Sequence, residues 1–258
     1  MTLAPEELKS CCASAYASAA ARFLLGDSFH PDGAALTSRL GRALQVGASA
    51  TVVDVASGPG TSAIQLANET GCSVVGVDLS PQSVDTDARA AEAAGLGERV
   101  RFVEGDAEAL PLEDESMDGA LCECALCTFP DKRAAARELA RVLRPGTRLA
   151  LADVTAHPER LPPELTGLQA WVACIADARP LEDIATLLED AGLAVETAER
   201  HDQALRDLLD RLDARLQLAA IACGLGDGVE RGRELAASAR AAVADGLLGY
   251  GVVVAAKR

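Results

Sequence analysis

The sequence predicts an α/β fold, a mostly parallel sheet covered by helices on both faces, and three observations predict it. From residue 50 onward, short apolar β-branched runs alternate with helical stretches. The runs are largely apolar, which suits strands buried on both faces. At 258 residues and 49% hydrophobic content, the chain can bury one sizeable core without a disulfide or metal staple, as one domain or as one domain with a small lid.

Residues 5–45 read as helical, with one piece through Ala13–Leu25 and a second through Ala34–Leu44. Between them, Gly26-Asp27-Ser28-Phe29-His30-Pro31-Asp32-Gly33 is dense in turn residues and reads as a loop. Strand candidates follow at Thr51–Val55, Ser73–Val77, Arg101–Val103, Gly119–Leu121 and Arg148–Ala152. Helical stretches at Ser62–Glu69, Gln82–Ala94 and Lys132–Leu143 separate most of them, the pattern of a parallel sheet. Further helices are expected near 164–176 and 181–191, then a strand at Ala194–Ala198. Helices over about 203–221 and 229–244 and a last strand, Tyr250–Ala256, close the chain.

Charge narrows the partners. A formal charge of −15 and a pI of about 4.6 repel phosphate backbones and anionic membranes, so neither nucleic acid nor a membrane is expected. Met1–Glu7 has neither the basic start nor the apolar stretch of a signal peptide. The longest apolar runs, near Leu216–Cys223 and Gly251–Ala256, are too short to span a bilayer. A cytoplasmic protein is expected, with its eight cysteines as free thiols.

Three strand ends carry chemistry. The first strand runs into Asp54-Val55-Ala56-Ser57-Gly58-Pro59-Gly60-Thr61. Gly58 and Gly60 allow a tight turn that a nucleotide cofactor can approach closely, and the next helix presents free N–H groups. The second strand ends in Val77-Asp78-Leu79-Ser80. Asp78 can accept both hydroxyls of a ribose, while Ser80 suits the capping of the next helix. Just past the third strand, Asp106-Ala107 can meet an adenine, Asp106 accepting from its amino group.

Together these signals resemble the ordered motifs of class I S-adenosylmethionine-dependent methyltransferases, over about Ala50–Val154. Asp118-Gly119-Ala120-Leu121 entering the fourth strand and Leu143-Arg144-Pro145-Gly146 before the fifth belong to the same resemblance. It implies a Rossmann-like seven-stranded sheet of order 3-2-1-4-5-7-6 with the last strand antiparallel. It also implies S-adenosylmethionine as cofactor, with Asp54, Ala56, Ser57, Gly58, Gly60, Asp78, Leu79, Asp106, Ala107 and Glu123 around it. Ala56 departs from the family, which usually has glycine there; shifted packing with binding retained is expected. A nicotinamide-dependent oxidoreductase shares the glycine turn and acidic strand tip but lacks support, since the chain has no Tyr-x-x-x-Lys pair. A cofactor-binding sensor without activity is a third class that motifs alone leave open.

The most unusual stretch is Leu121-Cys122-Glu123-Cys124-Ala125-Leu126-Cys127-Thr128-Phe129-Pro130-Asp131-Lys132, at the fourth strand's C-terminal end, where open α/β sheets bind ligands. Cys11, Cys12, Cys174 and Cys223 lie elsewhere, and Cys72 reads as a small core side chain. Core filling, structural zinc and a soft substrate compete as readings. Zinc is disfavoured because Cys124-x-x-Cys127 has no partner knuckle. Thiolates suit a soft metalloid.

The cysteine placement resembles that of arsenite methyltransferases. They carry a cysteine at this strand end followed by an apolar pair and Pro-Asp-Lys, as Cys124, Ala125-Leu126 and Pro130-Asp131-Lys132 do here. A second cysteine follows a Trp beyond the fifth strand, as Cys174 follows Trp171, and a third lies N-terminal to the cofactor motif, where this chain has Cys11 and Cys12. The resemblance implies Cys12, Cys124 and Cys174 as thiolate ligands of a trivalent arsenic substrate, with Cys11 and Cys223 as further candidates. Cys12 is preferred because it shares a helix face with Tyr16 four positions on. Cys122, Cys127 and Cys223 are extra to the pattern. A small organic acceptor is the alternative, and it needs a base, for which His30, Glu123 and Asp27 are candidates. Residues 1–46 are expected to form a helical lid, and 47–258 the catalytic domain, with lid insertions at about 155–190 and 203–245.

Overall fold

A computed structural model of the chain describes residues 4–26, 28–223 and 226–258, with the side chains of 222, 223 and 227 left aside. Seven strands form one sheet of order β3-β2-β1-β4-β5-β7-β6. They are β1 (Thr51–Val55), β2 (Ser73–Asp78), β3 (Val100–Glu104), β4 (Met117–Glu123), β5 (Leu143–Ala156), β6 (Leu193–Arg200) and β7 (Leu248–Lys257). β7 runs antiparallel to both β5 and β6, and the pairs among β1 to β5 are parallel. The order and the antiparallel last strand are those expected.

Helices α1 (Pro5–Tyr16), α2 (Ala19–Leu25) and α3 (Gly33–Leu44) precede the sheet. Helices α4 (Thr61–Thr70), α5 (Pro81–Ala93) and α6 (Lys132–Val142) connect its first strands. Helices α7 (Leu168–Val172), α8 (Leu181–Asp190), α9 (Asp202–Cys223) and α10 (Asp227–Ala244) complete the chain.

Side chains alternate across the strands, so the apolar runs feed two cores. Val52, Val74, Leu121 and Val252 pack on one face with Leu36 and Leu40 of α3, Leu66 of α4, Leu209 of α9 and Ala239 of α10. Val53, Val75, Ala120 and Val253 pack on the other with Leu139 of α6 and Leu188 of α8. Cys72 is buried in the first core and Cys122 in the second, so both fill small sites.

Three boundaries differ from expectation. The helix expected through Ala13–Leu25 breaks after Tyr16, because Ser18 turns extended and its hydroxyl accepts from the Ala21 N–H as the cap of α2. Such a cap stabilises a helix start by about 1 kcal/mol, enough to divide an alanine-rich run. The stretch 164–176 holds only a tight turn at Pro163–Leu165 and the short α7, since the chain reverses at left-handed Cys174. Leu143-Arg144-Pro145-Gly146 lies inside β5, not before it. Among the described residues, no helix is long and apolar enough to cross a membrane.

Candidate active site

A cleft opens at the C-terminal ends of β1, β2 and β4, bordered by α1 and the loop before α3. Asp54, Ala56, Ser57, Gly58, Asp78, Leu79, Asp106, Ala107, Glu123, Cys12 and Cys124 all line it. Gly60, which opens α4 at φ 69°, stands behind the turn: a Cβ there would sit 2.7 Å from Phe102 Cζ and 2.9 Å from Asp87 Cβ. Gly58, at φ 53°, is less crowded: a Cβ there would meet Phe29 Cδ2 at 3.9 Å and the Ala56 carbonyl at 4.0 Å. The turn therefore needs glycine at Gly60 for packing as well as conformation.

The second strand tip braces the first. Asp78 accepts from the Gly58 N–H and the Ser80 N–H, each at 2.9 Å. Ser80 itself caps α5 through the Ser83 N–H at 3.2 Å. Burial pushes the Asp78 carboxyl above its usual range, although these backbone donors oppose that shift. Asp54 is more deeply buried, and burial, with Glu123, Asp78 and Asp87 nearby, pushes it well up. Its Oδ2 and the Ser57 Oγ are buried without a hydrogen-bond partner. Buried polar atoms are rarely left unpaired in folded proteins, so this cradle fits a polar ligand that contributes donors and acceptors.

Ala56 adopts φ 57°, a left-handed backbone that L-residues enter at a cost. The side chain therefore also burdens the backbone, beyond the packing shift expected from sequence. Left-handed geometry costs an L-residue about 1–2 kcal/mol, and glycine's extra unfolded-state freedom takes back about 0.4–1 kcal/mol. Ala56→Gly is expected to stabilise the fold by roughly 0.5–1 kcal/mol in urea denaturation. An unchanged or lowered midpoint would show that the methyl group's packing outweighs the strain.

On the third strand's side, Asp106 accepts from the Glu108 N–H at 2.9 Å and pairs with Lys9 at 2.7 Å. Lys9 also meets Glu108 at 2.6 Å. Burial alone would lower the ammonium's pKa, but the two carboxylates raise it above its usual range. Lys9 thus ties α1 to the cleft. Sequence reading missed it, although its place three residues before Cys12 puts both on one face of α1.

Glu123 accepts from the Thr37 hydroxyl at 3.1 and 3.2 Å. His30 Nε2 lies 3.6 Å from Glu123 Oε1 and 2.8 Å from the Ser28 hydroxyl. His30 Nδ1 meets the Pro31 carbonyl at 3.1 Å. A carbonyl only accepts, so Nδ1 donates there. Asp27, the other candidate base, lies outside the described residues.

The thiols meet beside this cleft. Cys124 and Cys174 both hold left-handed backbones, φ 54° and 63°. The Cys124 N–H donates to the Ala152 carbonyl at 2.7 Å, and the Cys174 N–H to the Trp171 carbonyl at 2.9 Å. Two strained cysteines facing one place mark a functional region more strongly than two relaxed ones. The Cys174 thiol also lies 3.5 Å from the Cys124 carbonyl. Cys124, Cys127 and the Tyr16 hydroxyl hydrogen-bond Cys174 sulfur, and Lys132 adds positive charge, so its pKa falls well below the usual thiol range. The Tyr16 hydroxyl sits 3.2 Å from that sulfur and 2.7 Å from the Val172 carbonyl.

Cys127, extra to the sequence pattern, belongs to this group. Its N–H donates to Asp153 at 3.0 Å. Burial pushes Asp153 up to about 7. Lys132 reaches the Cys127 and Phe129 carbonyls at 3.1 and 3.0 Å, pairs with Asp177, and lies 5.6 Å above the Trp171 ring. Lys132 thereby links the turn bearing Cys127 to the loop bearing Cys174. Cys12 is buried and lines the cofactor side of the cleft, where burial pushes its pKa up to about 12, while Cys11 is half-buried. Cys223 ends α9, and its side chain lies outside the described residues. Among the described residues, no group of three or more His, Cys, Asp or Glu is arranged to hold a metal ion.

Comparison with known proteins completes the site. Residues 53–151 match the family model of a methyltransferase domain. An O-methyltransferase of Pyrenophora dematioidea is 30% identical over 79% of this chain and 73% of its own length. An arsenite methyltransferase of Halobacterium salinarum is 34% identical over 59% of this chain and 39% of its own length. The chain spans 39–64% of the length of several curated relatives, the Halobacterium protein among them. Phosphoethanolamine N-methyltransferase 2 of Haemonchus contortus, solved with S-adenosyl-L-methionine, aligns at a TM-score of 0.79 and 17% identity, over 99% of this chain and 60% of that one.

Proposed function

This chain belongs to the class I S-adenosylmethionine-dependent methyltransferase family, and from that premise we propose that it methylates a thiol-bound trivalent arsenic-type metalloid. One observation carries the choice of acceptor: Cys127 and the pKa-depressed Cys174 meet Cys124, which lines the cofactor cleft. A soft centre prefers thiolate ligands. It also brings its own lone pair, so the chain has to hold it in line and need not deprotonate it.

When bound, S-adenosylmethionine supplies an electrophilic methyl carbon on a sulfonium. The unpaired Asp54 Oδ2 and Ser57 Oγ and the side-chain-free turn at Gly58 support its seat there. Asp78 would take the ribose hydroxyls, and Asp106-Ala107 the adenine. Glu123 would face the methionine part. Of the segments expected as the lid, 1–46 and about 155–190 and 203–245, α1 would act as one, with Lys9 fastening it beside the adenine end, whereas α3 and α8 pack on the sheet faces. Lid closure excludes water and orients the acceptor, and orientation supplies much of the rate in such a transfer.

A second reading, an organic O- or N-acceptor, is favoured by the His30–Glu123 contact, which places a base candidate at the cleft. The two readings separate in a methyl-transfer assay with labelled cofactor across trivalent arsenicals, thiols and hydroxylated metabolites. Label on the arsenicals, with inhibition by S-adenosylhomocysteine, is the expected result. Label on hydroxylated metabolites alone would replace the metalloid reading with the organic one. Tight cofactor binding without any labelled product would make the protein a sensor.

A further inference from the structure

A buried polar cluster joins the loop before α3 to the end of β4. His30 stands in that loop, Thr37 on α3, Ser62 on α4 and Glu123 at the last position of β4. His30, Thr37 and Ser62 are buried, and the Glu123 side chain is only 4% exposed. His30, Ser62 and Glu123 also line the cofactor cleft. The sequence sets the loop's course. Pro31 disfavours helix at His30, and Asp32, left-handed at φ 62°, turns the chain into α3. Aspartate enters that region more readily than most residues.

The His30 ring is held on both sides. Its Nδ1 donates to the Pro31 carbonyl at 3.1 Å, so Nε2 is the ring atom turned to the cluster. Nε2 lies 2.8 Å from the Ser28 hydroxyl, 3.4 Å from those of Thr37 and Ser62, and 3.6 Å from Glu123 Oε1. The Thr37 hydroxyl has one hydrogen, shared between the two Glu123 oxygens at 3.1 and 3.2 Å. A carboxylate offers about four lone-pair sites, so Glu123 keeps some for a donor in the cleft. Among the described residues, no Lys or Arg pairs with it, and His30 is its one basic neighbour at ion-pair distance. Asp54 on the same cleft has its Oδ2 buried and unpaired. A buried carboxylate is costly without a partner, and a ligand ammonium would supply one.

Resting on the cofactor seat proposed above, we propose that His30 is a positioning residue for the cofactor's amino-acid end. With Thr37 it fixes the Glu123 carboxylate so that its free lone pairs meet the α-ammonium. The role is the same for a metalloid acceptor and an organic one, because it acts on the cofactor alone.

The test uses two ligands with the same adenosyl thioether, S-adenosylhomocysteine and methylthioadenosine. The second lacks the amino-acid end. By calorimetry, His30→Ala should weaken S-adenosylhomocysteine about tenfold, part of the worth of a hydrogen bond to a charged group, and change methylthioadenosine by less than about twofold. Thr37→Val removes the hydroxyl from α3 at nearly constant shape. It should show the same split, and it carries the test if His30→Ala does not fold. His30→Gln, whose amide reaches toward the place of Nε2, should recover most of the loss. In a Glu123→Gln background, His30→Ala should cost nothing further, since the two residues act as one unit. Equal weakening of both ligands would make His30 a structural residue and overturn the assignment. So would unchanged S-adenosylhomocysteine affinity in the folded variants, or additive losses in the double variant. If neither ligand binds the wild-type protein, the cofactor seat itself falls and this assignment with it.

Discussion

Cys124→Ser and Cys174→Ser are each expected to weaken binding of a trivalent arsenical by at least about a hundredfold, because a hard hydroxyl replaces a soft thiolate ligand. Methylation of the arsenical should disappear with it. Affinity for S-adenosylmethionine, measured by calorimetry, should stay within about twofold, since both variants leave Asp78, Asp106 and Glu123, the side chains proposed to hold it, in place. Serine keeps nearly the same shape, so both variants should fold, and thermal denaturation checks this. The sign with pH follows from the depressed Cys174 thiol. A folded-state pKa below the unfolded one stabilises the protein above the unfolded value, and that contribution is lost as pH falls through the folded one. The ultraviolet absorbance of the Cys174 thiolate should therefore persist to lower pH than that of an ordinary thiol. Activity on an organic acceptor that survives in both variants would remove the thiols from the reaction.

Asp78→Ala should weaken S-adenosylmethionine binding by about 1.5–3 kcal/mol, the worth of hydrogen bonds to a charged group, or about 10- to 150-fold. The structure adds a second consequence. Asp78 also holds the Gly58 and Ser80 N–H groups. Removing it unpairs two backbone donors, so stability should fall by about 1–3 kcal/mol as well. Asp78→Asn separates the two effects. Its amide oxygen can still accept one backbone bond, while its charge is gone. Calorimetry showing wild-type affinity in a folded Asp78→Ala protein would rule out the ribose assignment.

Much of this architecture was legible in residue order. All seven strands were visible, the central ones because strands buried on both faces are written as largely apolar runs such as Ser73–Val77 and Tyr250–Ala256. The cleft's cofactor side was legible for a related reason: the residues that make it sit immediately after strand ends, where position in sequence is position in space. Cys124 and Glu123 follow β4 in the same way. Helix breaks were less visible. Ser18 caps α2 within an alanine-rich run, and no periodicity marks a cap whose effect is one hydrogen bond.

The strand order was what the family resemblance implied; by itself, the sequence determined the strands, the glycine turn at Gly58 and Gly60, the acid at Asp78, and the presence of thiols at one strand end. These follow from local pattern, because backbone conformation and strand burial are set by neighbours in the chain. The tertiary structure decided the rest. It turned Cys127 toward Cys174, drew Lys9 onto Asp106 and Glu108, set Lys132 between two loops, and opened an apolar chamber beside Cys124. Each joins residues from separate elements, and such meetings depend on how helices α1, α9 and α10 pack across the strand ends. Hydrogen bonds from Cys124, Cys127 and Tyr16 depress Cys174 against its burial, and burial raises Asp153. A residue's charge state answers to what surrounds it in space, which a list of neighbours in sequence does not contain.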